Sequence, residues 1–273
     1  MSRFHISTDE WDSRVRESLS LYFGFPSLRD YQKQALLSYY QGRDVMLVVA
    51  TGYGKSLCYQ LPALCLKKTV IVISPLIALM EDQVAFLRSK GISSLHLGAV
   101  SNTPEEIERA KCGEISLLYM TPEKALLWLD HLSSLAARNA VCLLAIDEAH
   151  CASEWGHDFR PDYAQLGQVR AALSNVQVMA LTATATTRVA REVCATLQCP
   201  NMKLLRSTVD RANLRFFVHE KQRGIAADLE AIIAPNADVL QRARALGDAK
   251  RRERDMEMEK VFGGVSVVYC LTR

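Results

Sequence analysis

Ala50-Thr51-Gly52-Tyr53-Gly54-Lys55-Ser56, entered from the apolar run Val45-Met46-Leu47-Val48-Val49, decides how the chain folds. The run before it is short, β-branched and unbroken by polar residues, which predicts a buried strand. The glycines that follow permit a tight turn whose backbone N–H groups face one point, at the start of a helix whose dipole favours an anion there. Lys55 has the reach for the β- and γ-phosphates of a nucleotide, and the Ser56 hydroxyl suits Mg²⁺. The full phosphate-loop pattern expects a glycine where this chain has Val49. A solvated glycine turn with an incidental lysine is therefore the competing reading.

A second stretch weighs against that competitor. Val141-Cys142-Leu143-Leu144-Ala145-Ile146 predicts another buried strand, and Asp147-Glu148-Ala149-His150 stands at its carboxyl end. In an open α/β sheet that edge is where ligands bind. There Asp147 would hold Mg²⁺ through water, and Glu148 would orient and deprotonate a water attacking the terminal phosphate. His150 is the weaker candidate for the base. An Asp-Glu pair in this position is also a common helix amino-cap.

The rest of the sequence predicts alternation. A capping box at Ser7-Thr8-Asp9-Glu10 opens a helix reaching Gly24, and a second helix spans Arg29 to Gln41. Pro62 is expected to end or bend the helix after the phosphate loop. Strands are expected at 69–74, 94–98, 115–120, 141–146 and 176–182, with helices at 76–90, 104–112, 123–135 and 186–197. Strands separated by helices of this length make a parallel sheet covered on both faces, a RecA-like domain over residues 1–218.

After Val218 the character changes. Residues 241–260 hold seven basic and five acidic residues and no aromatic one, which predicts a charged connector over 219–263. Val265-Ser266-Val267-Val268-Tyr269-Cys270 then has a strand pattern, expected to open a second domain at 264–273.

Composition sets bounds. A net charge of +3 does not by itself announce nucleic-acid binding, so any such contact must be local. No apolar run is long enough to span a membrane and no signal-peptide pattern opens the chain, which predicts an intracellular protein. The eight cysteines form no C-x-x-C pair, so they are expected to be reduced thiols that hold no zinc in this fragment.

A colinear series of motifs resembles the RecQ family of DNA helicases, superfamily 2 phosphate-loop NTPases, and within it the Werner syndrome type. Phe23 to Gln32 (FGFPSLRDYQ) is similar to the family's adenine-reading motif, and Ala50 to Gln60 (ATGYGKSLCYQ) to its phosphate loop. Ser74 to Val84 (SPLIALMEDQV), Tyr119 to Glu123 (YMTPE), Asp147 to Arg160 (DEAHCASEWGHDFR) and Leu181 to Thr186 (LTATAT) follow in the family's order. Tyr269 to Arg273 matches the opening of the second motor domain. The most specific element is Glu154 to Arg160, which RNA helicases with the same acidic box lack.

The resemblance implies an ATP-dependent 3′→5′ helicase acting on single-stranded and forked DNA in repair and recombination, nuclear if the source is eukaryotic. It implies that Phe25, Arg29 and Gln32 hold the adenine, with Thr51, Gly52, Gly54, Lys55 and Ser56 around the phosphates. Catalysis would rest on Lys55, Asp147, Glu148 and His150. His150 and the threonines of Leu181 to Thr186 would sense the γ-phosphate. Trp155, His157, Phe159 and Arg160 would meet DNA, as would Ser74, Pro75 and Thr121. From the residues alone Gln32 reads as an exposed helix position. Ser74-Pro75 and Thr121-Pro122 read equally well as strand-to-helix caps, and Trp155 and Phe159 as a core pair. The family usually has Tyr or His at Phe25 and Phe at Leu28. Its later motifs, including the arginine finger, zinc-binding subdomain and winged helix, have no counterpart here. The expectation is a chain cut at the second motor domain, nearly inactive alone, or an ATP- and DNA-binding module without unwinding activity.

Overall fold

The computed structural model describes residues 6–99, 101–155 and 158–207. The charged connector and the last strand expected beyond residue 218 lie outside these residues, as do Cys270 and His157. Seven strands form one parallel sheet: β1 (Val45–Val48), β2 (Thr69–Ile73), β3 (Ser94–His96), β4 (Leu117–Met120), β5 (Val141–Ile146), β6 (Gln177–Thr182) and β7 (Lys203–Arg206). Their order is β3-β4-β2-β5-β6-β1-β7. The helices are α1 (Thr8–Ser18), α2 (Asp30–Tyr40), α3 (Leu57–Leu66), α4 (Ile77–Ser89), α5 (Pro104–Cys112), α6 (Pro122–Leu126), α7 (Leu129–Ala137), α8 (Pro161–Ala164), α9 (Leu166–Ala172) and α10 (Thr187–Thr196).

Why the strands read as unbroken apolar runs is visible in the two cores. Alternate residues of each strand point to opposite faces, and both faces are covered. Met46, Val48, Ile71, Ile73, Leu144 and Ile146 pack with residues of α5, α6, α7, α9 and α10. Val45, Leu47, Val70, Val72, Leu143 and Ala145 pack with residues of α1 to α4. A polar side chain buried in these strands needs a partner, as Gln177 of β6 finds in the Tyr39 carbonyl at 2.6 Å.

Several local expectations need correction. Only half of the first capping box forms: Ser7 Oγ accepts from the Glu10 N–H at 3.2 Å, while the Glu10 carboxylate instead takes Arg14 at 2.6 Å. After Ser18 the helix widens into a π-turn at Leu19–Phe23 before Gly24 closes it. Of the two outcomes expected at Pro62, an end to the helix does not occur, because the proline lies inside α3, which runs on to Leu66. The helix expected over 123–135 is two, broken at Leu127–Trp128, where Leu127 is exposed. The sequence reading missed α8 and α9, which are short, and β7, an edge strand that buries one residue in four.

Seven cysteines among the described residues are free thiols, five of them buried. Burial pushes the thiols of Cys58, Cys142 and Cys151 up to about 12, so they are inert small hydrophobes at neutral pH.

Candidate nucleotide site and aromatic loop

The site is built where β1, β5 and β6 end. β6 pairs with β1 on one side and β5 on the other. Thr182, the last residue of β6, is therefore placed between the phosphate loop and Asp147-Glu148. This topology could not be read from motif order, because the two motif-bearing strands are not neighbours.

Lys55 donates to the Val49 carbonyl at 2.9 Å, so its ammonium turns back over its own loop. Burial pulls its pKa down, and the charges of Glu148 and Asp147 oppose that. The lysine and both carboxylates thus share one electrostatic environment. Asp147 is pushed up to about 6, first by burial and then by the Glu148 charge, against the Glu148 N–H and Lys55. Asp147 Oδ1 accepts that N–H at 3.0 Å, and Tyr163 Oη donates to the Asp147 carbonyl at 2.9 Å. The amino-cap alternative fails, since Glu148 precedes the 3₁₀ turn Ala149–Ala152 without capping it. Glu148 instead sits in the left-handed region at φ 46°, where a residue with a Cβ is strained. That conformation needs support, and its neighbours supply it.

His150 is buried. Its Nδ1 lies 2.8 Å from Thr182 Oγ1 and 3.3 Å from Glu148 Oε2. Thr182 Oγ1 also reaches Thr184, donating to its carbonyl and accepting from its N–H, each at 3.1 Å. His150 therefore stands between Glu148, against which it lies, and Thr182, which is hydrogen-bonded on to Thr184. Thr51, Pro75, Glu148, His150, Asp158 and Thr184 line one cavity of about 310 Å³. The phosphate loop, the acidic box, the threonine motif and the aromatic loop meet there.

The adenine-motif residues are tied to the phosphate loop from behind. Tyr31 Oη donates to the Tyr53 carbonyl at 2.5 Å, and Gln32 Nε2 to the Gly54 carbonyl at 3.0 Å. Gln32 Oε1 accepts the Arg29 N–H at 2.8 Å. Gln32 is 4% exposed, which corrects the reading of it as a surface residue. Gly54 has φ +84°, and a Cβ there would lie 3.1 Å from Gln32 Nε2. That position admits only glycine comfortably. The Arg29 guanidinium lies 5.0 Å from the Tyr53 ring centre, and Phe25 is exposed. Tyr31, Tyr53 and Tyr163 were not singled out from sequence. The first two lie inside quoted motifs, whereas Tyr163 sits on α8 and carries no sequence signal.

Around the aromatic loop, Trp155 is 60% and Phe159 39% exposed, so neither is a core residue. Arg160 donates to the Pro75 carbonyl at 3.2 Å and to Asp158 at 3.3 Å, which fastens this loop to the segment after β2. Ser74 is buried, with no hydrogen-bond partner for its hydroxyl among the described residues. Thr121 caps α6 by accepting from the Lys124 N–H at 3.2 Å.

For a divalent cation, Asp147 beside Glu148 at the mouth of the phosphate loop supplies hard oxygen donors, and Ser56 a hydroxyl at the start of α3. A small hard ion also bound by phosphate oxygens fits such a set. No helix among the described residues is long and apolar enough to cross a membrane.

Comparison with known proteins agrees with this geometry. The DEAD/DEAH box helicase family matches residues 29–193. The chain is 42% identical over 205 residues to the ATP-dependent DNA helicase RecQ of Haemophilus influenzae, covering 74% of this chain and 33% of that protein. It is 38% identical over 261 residues to the ATP-dependent helicase wrn-1 of Caenorhabditis elegans, covering 94% of this chain and 23% of that one. To the ATP-dependent DNA helicase Q5 of Rattus norvegicus it is 41% identical over 222 residues, covering 77% and 23%. The chain thus spans a quarter to a third of the length of these relatives. Among solved structures, helicase Lhr of Mycobacterium smegmatis, bound to ssDNA and AMP-PNP, matches with TM-score 0.56 at 20% identity, over 92% of this chain and 36% of that one. The DUF1998 helicase MrfA bound to DNA matches with TM-score 0.55, also at 20% identity, over 74% and 28%. Both likenesses bear on the fold, which is the RecA-like α/β fold of superfamily 2 helicases. The chain belongs to the DEAD/DEAH box helicase family, and its sequence is similar to that of RecQ-type ATP-dependent DNA helicases.

Proposed function

We propose that the chain is the nucleotide-binding part of a 3′→5′ DNA helicase that couples Mg·ATP hydrolysis to translocation along single-stranded and forked DNA. Repair and recombination, in the nucleus of a eukaryote, are the corresponding roles. The observation that carries this reading is the junction of Thr51 of the phosphate loop, Glu148 and His150 of the acidic box, and Ala183-Thr184 of the threonine motif in one cavity that Asp158 of the aromatic loop also lines. On nucleotide binding Lys55 would exchange the Val49 carbonyl for the β- and γ-phosphates, an attraction that its low-dielectric setting strengthens. Asp147 and Ser56 would hold Mg²⁺, which would supply charge neutralisation at the phosphate oxygens. Glu148 takes the proton of the attacking water, and its strained backbone keeps its carboxylate aimed. His150 and Thr182 feel any movement of Glu148 and pass it toward Thr184. Trp155 and Phe159 stack on bases and Arg160 braces their loop, while Phe25, Arg29 and Gln32 border the base of the nucleotide. Ser74, Pro75 and Thr121 lie along the same edge as strand-positioning residues.

The test is strand displacement by the whole helicase of which this chain is the nucleotide-binding part, on duplexes with a 3′ or a 5′ tail, with Lys55→Ala as control. Displacement restricted to the 3′-tailed duplex and abolished by Lys55→Ala is the expected result. Displacement from the 5′ tail would overturn the polarity. ATP-dependent strand binding without displacement would leave the narrower reading of an ATP- and DNA-binding module.

A further inference from the structure

The aromatic loop has a partner outside the motifs described so far. Arg188, on the first turn of α10, places its guanidinium carbon 3.4 Å from the centre of the Trp155 ring. The same side chain reaches Glu192, one turn on, with Nε 3.4 Å from Oε1. The other oxygen of Glu192 accepts from Ser153 Oγ at 2.6 Å, and that hydroxyl accepts the Trp155 N–H at 3.2 Å. These contacts close a ring from the Trp155 indole through Arg188, Glu192 and Ser153 to the Trp155 backbone. Ser153 is buried, whereas Trp155 remains mostly exposed. One indole face is thus covered by a cation and the other left open. α10 itself is capped by Thr186, at the end of the threonine motif, whose hydroxyl accepts the Val189 N–H at 3.3 Å. Its far end holds the 3₁₀ turn through Thr196 Oγ1 and the Ala152 carbonyl, 3.5 Å apart.

We propose that Arg188 and Glu192 are positioning residues that clamp Trp155 as a one-faced stacking platform for a base of single-stranded nucleic acid. Sequence-tolerant stacking depends on a presented π-face, and fixing that face beforehand removes an ordering cost from binding. A guanidinium suits the covered face, because its plane stacks while its edge pairs with a carboxylate. Lysine has the charge but not that double fit. The clamp rests on the nucleic-acid reading above, yet it makes a claim about the free protein that can be tested separately.

Trp155 is the only exposed tryptophan of the three, Trp11 and Trp128 being buried. Acrylamide, a neutral quencher, therefore reports on its accessible face, with Trp155→Phe defining the signal. In Arg188→Ala the quenching constant of the exposed component should rise about twofold as the second face opens, and Arg188→Lys should restore it only in part. The decisive variant for strand binding is Glu192→Ala. It removes a negative charge beside a polyanion, so electrostatics alone would tighten binding. The clamp predicts instead that Glu192→Ala and Arg188→Ala both weaken binding of oligothymidylate, by about five- to tenfold, with melting temperatures near wild type. Unchanged quenching in both variants would overturn the clamp. So would weaker binding in Arg188→Ala with equal or tighter binding in Glu192→Ala, which would make Arg188 a direct phosphate contact. If the wild-type chain bound no oligothymidylate, the nucleic-acid reading would fall, and the quenching result would still decide whether the clamp exists.

Discussion

The phosphate-loop edge and the aromatic loop lie side by side, yet they are stabilised in opposite ways. At the edge, the main anchors are main-chain groups, His150 between Thr182 and Glu148 being held by side chains. Lys55, Tyr31 and Gln32 donate to main-chain carbonyls of the loop, and Tyr163 holds the main chain of Asp147. The aromatic loop has one such anchor, Arg160 on the Pro75 carbonyl, and otherwise depends on side-chain contacts: Glu192 to Ser153 and Arg188 on the Trp155 ring. The difference fits the two ligands. A nucleotide needs charges held to within a fraction of an ångström for electrostatic stabilisation of phosphoryl transfer. A nucleic-acid strand needs an exposed face that tolerates any base. A buried, strained region is thus expected to govern turnover, and an exposed one to govern strand binding, with little exchange between the roles.

The sharpest way to break this contrast is at Glu148. Glu148→Gln keeps size and hydrogen bonding but removes the base, so turnover should fall by about 10²–10⁴-fold with nucleotide affinity retained. Single-turnover hydrolysis alongside a nucleotide titration separates the two. A variant that no longer bound nucleotide would mean that Glu148 is a metal ligand, not the base.

A second, smaller effect is expected in stability. Asp147 is held above its ordinary range, at about 6, by burial and by Glu148. A carboxyl whose pKa rises on folding destabilises the fold once it is ionised, so its cost is absent below about pH 4 and fully present above about pH 6. Asp147→Asn should therefore raise thermal stability at pH 7.5, by up to about 3 kcal/mol. That gain should shrink as the pH falls through 6 toward 4. A gain independent of pH would show that the carboxyl is not under this electrostatic load.

Smaller still is the tether behind the loop. Tyr31→Phe removes one hydrogen bond to the Tyr53 carbonyl and should lower stability by about 1 kcal/mol. Because that bond shapes the phosphate loop, nucleotide affinity should drop a few-fold while strand affinity holds. Denaturant unfolding and paired titrations check both halves.

How much of this was legible in the sequence follows the same divide. The strand runs and the residues of the phosphate loop, acidic box and threonine motif could be read directly, because their chemistry is local. The sheet order could not, because pairing of β6 between β1 and β5 is set by long-range packing. Gln32 was misread as exposed, since a polar residue on a helix usually faces water. Its burial depends on the Gly54 carbonyl arriving from a distant turn. Tyr163, Arg188 and Glu192 gave no signal for the same reason. β7 was missed because an edge strand with one buried residue in four has almost no hydrophobic pattern.

One measurement tests the division of labour directly: nucleotide and oligothymidylate titrations on wild type, Lys55→Ala and Trp155→Ala, with melting temperatures recorded. Lys55→Ala removes the charge facing the β- and γ-phosphates and should weaken Mg·ATP binding by about 10²-fold while leaving strand affinity near wild type. Trp155→Ala should weaken strand binding by about 1–3 kcal/mol, leave nucleotide affinity within twofold and shift melting little, since the ring is mostly outside the core. Loss of nucleotide binding or a collapse in melting temperature on Trp155→Ala would contradict the account, because the exposed ring would then be part of the structure that holds the phosphate site.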